Sequence, residues 1–154
     1  MADRANRTAR LTYDPVADVA ERYPEWFVGT APLGGVIPEV LCLDRRVILV
    51  EQDQDPAAQR CSLAHAVAHL DLGHGRAVAG FFENREEADA DCHAARLLIS
   101  LEAFAEALSW TRSRIEVADE LVVDLAILAV RERILTRAER TRLRRWIGPL
   151  ALAC

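Results

Sequence analysis

Helix-start signals recur along the chain and divide it into short segments. In each signal Ser, Thr or Asp precedes a run with helical apolar spacing, and its side-chain oxygen can accept a hydrogen bond from a first-turn backbone N–H. The signals lie at Asp14, Asp55, Ser100, Ser113, Asp124 and Thr136. Ser113 and Thr136 are each followed by Glu three residues later, which is the capping-box pattern. A chain divided in this way folds mostly as short helices.

The apolar spacing predicts how far each helix extends. The predicted helices run from 15 to 22, from 56 to 72, from about 85 to 99, from 101 to 110, from near 114, from 125 to 134, and from near 137. Gly73 and Gly75 end the second of them, and residues 76–83 connect it to the third.

Three apolar runs near the N-terminus are typical of strands. They lie at 26–28, 40–43 and 47–50, and residues 44–46 join the last two as a hairpin. The predicted class is therefore α+β, with a small antiparallel sheet packed on a helix pair and a mostly helical C-terminal half. We predict one domain over 1–110 and a helical extension over 111–154, packed as one unit.

Composition excludes several classes of protein. The chain has 154 residues, of which 51% are hydrophobic, so it is neither disordered nor of low complexity. It contains neither a run of about 18 apolar residues nor an apolar signal segment at its start, so we expect a cytoplasmic protein without membrane spans. The net charge of −5 argues against non-specific nucleic-acid binding by the whole chain.

The histidines are clustered. All 4 lie between His65 and His93, and His65 and His69 are one helical turn apart. Residues four apart lie on one helix face, about 40° apart around the axis, so both imidazoles can reach one metal ion. The pair is the H-x-x-x-H half of the zinc motif H-E-x-x-H.

An acidic pair on the next helix offers a third ligand. Glu87 and Asp91 are also four apart, and a catalytic zinc takes three protein ligands and leaves one position open. We predict His65, His69 and Glu87 as metal ligands. Asp91 is predicted to accept the free ring N–H of a ligand histidine. Either feature alone has a plainer interpretation, since an isolated histidine pair is a weak signal and an acidic run is often a solvated helix face.

The two remaining histidines are assigned other roles. His74 is five residues after His69, and we interpret it either as a residue that polarises a substrate carbonyl or as a cap of the helix C-terminus. His93 lies off the face of Glu87 and Asp91, and we predict a packing role for it.

The two motifs together resemble the ImmA/IrrE family of zinc metallopeptidases. Residues 61–74 read CSLAHAVAHLDLGH, against the family's L-A-H-E-L-A-H-x-x-L-G-H. Residues 87–100 read EADADCHAARLLIS, against E-x-x-A-[DN]-x-[FW]-A-A-x-L-L-[MI]-P. The resemblance covers residues 38–110 well and implies a zincin-like helix pair. It also implies Zn²⁺ as the cofactor, the same three ligands, and Asp91 at the motif's Asp/Asn position.

One departure concerns catalysis directly. Ala66 occupies the position of the family's general-base Glu, and a methyl group can neither accept nor deliver a proton. We therefore expect zinc binding to survive and peptide hydrolysis to be lost or strongly reduced. The chain is either a natural pseudoenzyme or a variant in which Ala66 replaces a native Glu. The intact ligand set favours the second hypothesis.

The resemblance implies a protein substrate, commonly a helix-turn-helix repressor of a phage or mobile element, whose cleavage relieves repression. The alternative is a non-catalytic zinc-binding regulator that binds a repressor or DNA, and a metal-free helical interaction module is a third option.

Residues 117–131 themselves have the pattern of a helix-turn-helix. Their second helix is mostly apolar, which favours a buried element over one that lies in a DNA groove. The Arg-rich segment 137–145 is interpreted as a solvated helix face or as a clamp for an acidic partner or a phosphate backbone.

Overall fold

A computed structural model describes residues 13–74 and 81–148 of the chain. Its helices are α1 (Pro15–Arg22), α2 (Pro56–Asp71), α3 (Phe81–Leu98), α4 (Leu101–Trp110), α5 (Arg114–Leu121), α6 (Leu125–Arg133) and α7 (Arg137–Ile147). Its strands are β1 (Phe27–Ala31), β2 (Glu39–Cys42) and β3 (Val47–Glu51). The predicted α+β class is confirmed.

The three strands form one mixed sheet in the order β1-β3-β2. The tight turn after β2 makes β2 and β3 antiparallel, with Val40 opposite Leu49. β1 occupies the other edge of β3 and runs parallel to it, with Val28 opposite Ile48. The expectation of a purely antiparallel sheet therefore fails at β1. Turn residues determine the direction of a hairpin partner, but no local signal determines the direction of a strand that pairs across a longer connection.

Residues Asp14–Ala94 form one compact unit, in which α2 packs on β2 and β3. Ile48 and Val50 of β3 are buried, as are Ala64 and Val67 of α2. The small alanine side chains of α2 let its backbone approach neighbouring elements closely, which explains why this helix is buried around most of its circumference.

A buried carboxylate holds the loop that leads into β2. Glu51 is 3% exposed, and its side chain accepts hydrogen bonds from the backbone N–H groups of Leu33 and Gly35, both at 2.8 Å, and of Asp53 at 3.2 Å. These bonds, led by the one from Gly35, lower the pKa of Glu51. Gly35 has a φ of +72°, a conformation that glycine adopts without a steric penalty. Glu51 thereby stabilises the loop before β2.

Residues from Ala95 onwards belong to the second compact unit, which is helical. Its core contains Phe104, Val117, Leu128 and Leu143, contributed by α4, α5, α6 and α7 in turn. Arg131 is buried among them at 3% exposure, donating to Ile99 O at 3.0 Å and to Glu139 Oε1 at 2.7 Å. Ile127 and Leu128 of α6 are buried, as its apolar sequence predicts, whereas Leu125 at its start is 47% exposed. The assignment of 111–154 as a separate extension stays a prediction.

The helix caps agree closely with the sequence. Each of the six predicted N-cap side chains accepts a backbone hydrogen bond from the first turn of its helix, and both hydrogen bonds of the capping box at Thr136 are present. At Ser113 the box is incomplete, because the Glu116 carboxylate bonds the Thr111 hydroxyl and the Ser113 N–H bonds Thr111 Oγ1. One helix start differs, because α3 begins at Phe81 rather than near Arg85, and three predicted helix ends differ by one residue. Of the predicted connector 76–83, residues 81–83 are therefore helical, and the part from 76 to 80 lies outside the described residues.

In the part of the chain that the structure describes, no helix is long and apolar enough to cross a membrane.

Candidate metal centre

Helix α2 brings His65 and His69 to one wall of a cavity of about 470 Å³. Asp55 caps the start of this helix with hydrogen bonds from Ala57 and Ala58, and Pro56 occupies its first turn. These local features fix where the helix begins. Its period of 3.6 residues per turn places both histidines on one face. The Nε2 atoms of His65 and His69 lie 2.9 Å apart.

Helix α3 brings Glu87 to the same point. Its Oε2 atom lies 3.0 Å from Nε2 of His65, and its Oε1 atom lies 3.3 Å from Nε2 of His69. Within the described ranges, His65, His69 and Glu87 are the group whose potential ligand atoms all lie within 4.8 Å of one another. The structure thus brings together the three residues that the sequence singles out, although they come from two helices.

Each histidine ring has a polar partner at its other nitrogen. Asp91 Oδ1 lies 3.0 Å from Nδ1 of His65, and His74 Nδ1 lies 2.9 Å from Nδ1 of His69. Such a partner selects the tautomer and orients the ring, so that Nε2 of both histidines faces Glu87. The backbone N–H of His74 also donates to His69 O at 3.0 Å and so contributes to the end of α2. The carbonyl-polarising role of His74 stays a prediction.

The two rings differ in electrostatic environment. Burial lowers the pKa of His65, but the hydrogen bond with Asp91 and the nearby negative charges outweigh it and raise the pKa above its usual value. The pKa of His69 is lowered by burial and by the neighbouring charge of His65. Because the two shifts are opposite, His69 loses its second proton at a lower pH than His65 does.

The donor set fits a zinc ion. Two imidazole nitrogens and one carboxylate oxygen are the ligands of one common catalytic zinc site. Ligand atoms around a tetrahedral zinc stand about 3.3 Å apart, as follows from bond lengths near 2.0–2.1 Å. The observed separations of 2.9, 3.0 and 3.3 Å are close to this value. His65, His69 and Glu87 would hold the metal.

Ala66 lies on the wall of the cavity beside the ligands and is 1% exposed. Because its side chain ends at Cβ, position 66 presents no group that exchanges protons to the cavity. The remaining wall is formed by β2 and the turn after it, residues 39–44, together with His74.

The structure adds one residue that the sequence analysis misses. Glu39, the first residue of β2, lines the cavity, and its Oε1 lies 3.9 Å from Nε2 of His65. Burial raises the pKa of Glu39, and the charge of His65 opposes the shift. Glu39 stands 26 residues before His65, in no motif and next to a proline, so only the pairing of β2 with β3 reveals its position.

His93 lies apart from the ligands and is not the packing residue that we predict. Its Nε2 is 2.9 Å from Oδ2 of Asp71, and Oδ1 of the same carboxylate accepts hydrogen bonds from Arg22 and from the Tyr23 hydroxyl, each at 2.6 Å. Burial raises the pKa of Asp71, but these three hydrogen bonds outweigh it and lower the pKa. A partly exposed imidazole bonds to a carboxylate in preference to apolar contacts, so His93 joins a polar cluster that links α1, α2 and α3.

Comparison with known families matches residues 27–132 to the IrrE N-terminal-like domain, peptidase family M78. The matched stretch contains the whole sheet and both helices of the metal centre. No curated protein and no solved structure matches the chain. Because the match covers well over half of the sequence and includes all three candidate ligands, the chain belongs to the IrrE N-terminal-like family of metallopeptidases.

Proposed function

We propose that this chain is a zinc-dependent endopeptidase whose centre is His65, His69 and Glu87. The observation that carries the proposal is the convergence of these three side chains at a cavity large enough for a short peptide segment. Bound zinc would polarise the scissile carbonyl as a Lewis acid. The protein's own part is to hold the ligands through Asp91 and His74 and to position the substrate against the cavity wall.

The shape of the site favours an extended polypeptide as substrate. β2 is an edge strand, paired with β3 on one side only among the described strands, and its consecutive residues line the cavity. An edge strand offers free backbone N–H and C=O groups to which an extended chain can add. Val40 and Leu43 supply exposed apolar surface along this wall.

The substrate class that we propose is a helix-turn-helix repressor of a phage or mobile element. The proposal rests on the family resemblance, and cleavage of such a repressor would relieve repression. DNA is best bound by a positively charged protein, whereas a protein partner does not require this. The net charge of −5 therefore favours a protein partner.

We expect the residue at position 66 to influence the rate of peptide hydrolysis at the metal centre. Without a carboxylate there, the family's usual proton transfer is lost, and a general base contributes about 10²–10⁴-fold to rate. We therefore expect hydrolysis by this chain to be slow and Ala66→Glu to accelerate it. Ala66 lines the same cavity as the three ligands.

The experiment compares three zinc-loaded proteins on the purified repressor encoded beside the gene: the chain itself, Ala66→Glu, and Ala66→Glu combined with Glu87→Gln. We expect fast, chelator-sensitive cleavage by Ala66→Glu and none by the double variant, which lacks a ligand carboxylate. Zinc content is measured by mass spectrometry in each case. Absence of cleavage by zinc-loaded Ala66→Glu would exclude the endopeptidase proposal.

A second candidate function follows from Ala66 itself. Because the chain carries no base at position 66, it could act as a zinc-containing regulator that binds its repressor without cleaving it. This candidate predicts that the repressor co-purifies with both the chain and Ala66→Glu and remains intact in both. It also predicts an alanine codon at position 66 in the parent gene, whereas a glutamate codon there supports an inactivated peptidase.

A further inference from the structure

We propose that Glu39 supplies the catalytic carboxylate that position 66 lacks. The inference rests on the proposed peptidase function and adds to it the residue through which this chain's own hydrolysis proceeds. In this arrangement the carboxylate comes from the edge strand that faces the metal centre instead of from the helix that carries the histidines.

The geometry places Glu39 at the reacting centre. Its side chain is only 16% exposed, and its Oε1 atom lies 3.9 Å from Nε2 of His65. Glu39 and Ala66 line the same cavity, one from β2 and one from α2. Both positions therefore face one cavity, which also holds the three ligands.

Glu39 lies beside the ligand set and not within it. The set of mutually close ligand atoms among the described residues comprises His65, His69 and Glu87, and Glu39 does not join it at a limit of 4.8 Å. A carboxylate in this position is near enough to bond a water molecule at the centre without taking a place among the ligands. A general base must reach its proton directly or through one water, and Glu39 meets this requirement.

The carboxylates around the cavity differ in their contacts, and that of Glu39 has a side-chain hydrogen bond with Ser62 of α2. Glu87 faces both ligand nitrogens, and Asp91 is bonded to Nδ1 of His65 on the far side of the ring. Asp44 belongs to the turn after β2, where it is exposed to solvent. Glu39 combines burial on the cavity wall with proximity to a ligand nitrogen, which makes it the residue best placed for the role.

Hydrolysis through Glu39 consumes one water molecule and no other reactant. Glu39 takes one proton from the attacking water while the water oxygen bonds to the scissile carbonyl carbon. The C–N bond then breaks, its electron pair stays on nitrogen, and Glu39 delivers the proton to that nitrogen. The second water proton leaves when the new carboxylic acid ionises, and Glu39 is a carboxylate again.

The test uses the zinc-loaded chain, Glu39→Gln, and Glu21→Gln as a matched control at an exposed position of α1 away from the cavity. A proteome-derived peptide library is the probe, and new termini are counted by mass spectrometry. We expect Glu39→Gln to lower the cleavage rate about 10²–10⁴-fold, as for loss of a general base, and Glu21→Gln to leave it unchanged. Ala66→Glu combined with Glu39→Gln should cleave as fast as Ala66→Glu alone.

Two readouts do not depend on turnover. Zinc content of Glu39→Gln should equal that of the unmodified chain, because Glu39 is no ligand. Binding of acetohydroxamic acid, which gives up its hydroxyl proton when it chelates the metal, should weaken about tenfold or more, as for loss of a charged hydrogen-bond partner. Unchanged hydroxamate affinity would overturn the assignment, as would a loss of zinc.

The cleavage outcomes separate this inference from the proposed function. If Glu39→Gln cleaves as fast as the unmodified chain, or if only proteins with Ala66→Glu cleave, the role of Glu39 is overturned and the peptidase function stands. If neither the unmodified chain nor Ala66→Glu cleaves when loaded with zinc, both proposals fall together.

Discussion

The carboxylate of Asp91 lies 3.0 Å from Nδ1 of His65, on the side of the ring that points away from Glu87. This pair links α3 to α2 at the metal centre a second time, one helical turn beyond Glu87. It fixes the tautomer of His65 in which Nε2 is the free ligand atom, and it makes that nitrogen a stronger donor to a cation.

Replacing Asp91 by Ala should weaken zinc binding about 10–100-fold, the usual cost of losing such an outer partner. The measurement is competition with a zinc-chelating dye at fixed pH. Asp89→Asn is the matched control, since Asp89 lies on the same helix but is exposed and more distant from the histidines. Equal zinc affinity of Asp91→Ala and Asp89→Asn would contradict the orienting role of Asp91.

The buried Arg131 should make stability depend on the protonation of Glu139. Partial burial raises the pKa of Glu139, but hydrogen bonds with Arg131 and with the backbone of Thr136 bring it down to about 2. A lowered folded-state pKa means that the stabilisation is complete above pH 4.5, the model-peptide value, and is lost as pH falls towards 2. Glu139→Gln should therefore cost about 1.5–3 kcal/mol at neutral pH, typical of a hydrogen bond to a charged group.

Urea unfolding of Glu139→Gln and of the unmodified chain at several pH values checks this prediction. The difference in unfolding free energy should shrink between pH 4.5 and 2. The exposed pair Arg142–Glu102, 3.4 Å apart, provides a control, because Glu102→Gln should change stability by less than about 1 kcal/mol. A difference between the Glu139 proteins that is independent of pH would argue against the pairing.

Replacing Glu51 by Gln should loosen the loop before β2. The variant loses the negative charge that accepts hydrogen bonds from the N–H groups of Leu33 and Gly35. Hydrogen exchange at these two amides should become faster, while exchange at Leu49 in the β2–β3 ladder changes less. Because the pKa of Glu51 is lowered, the same loosening should appear in the unmodified chain as pH falls below 4.5. Equal protection of both loop amides in both proteins would contradict this role.

Val122 should be replaceable by glycine with a gain in stability. It ends α5 with a φ of +53°, where its N–H bonds to Asp119 O and the next N–H bonds to Ala118 O. A β-branched residue is strained in this left-handed conformation, and glycine usually occupies it. We expect Val122→Gly to raise the unfolding free energy by about 1 kcal/mol. Ala126→Gly, at an exposed site within α6, should lower it by about the same amount. Thermal unfolding of the two variants distinguishes these opposite signs.

The sequence by itself determined the features that depend on neighbours within a few residues. Ser, Thr and Asp at the helix starts cap their own backbone, so each predicted cap is present. The spacing of His65 and His69 on one helix, and of Glu87 and Asp91 on the next, likewise follows from helical periodicity alone. Those spacings, with the matching motifs, were sufficient to indicate the family.

Tertiary structure decided what depends on residues distant in the chain. The parallel pairing of β1, the bond between His93 and Asp71, and the approach of Glu39 to His65 each join segments more than 15 residues apart. Long-range contacts form only when several elements pack at once, and no local propensity encodes them. The ligands of the metal centre could therefore be predicted, whereas the carboxylate on the opposite wall of the cavity emerged only from the fold.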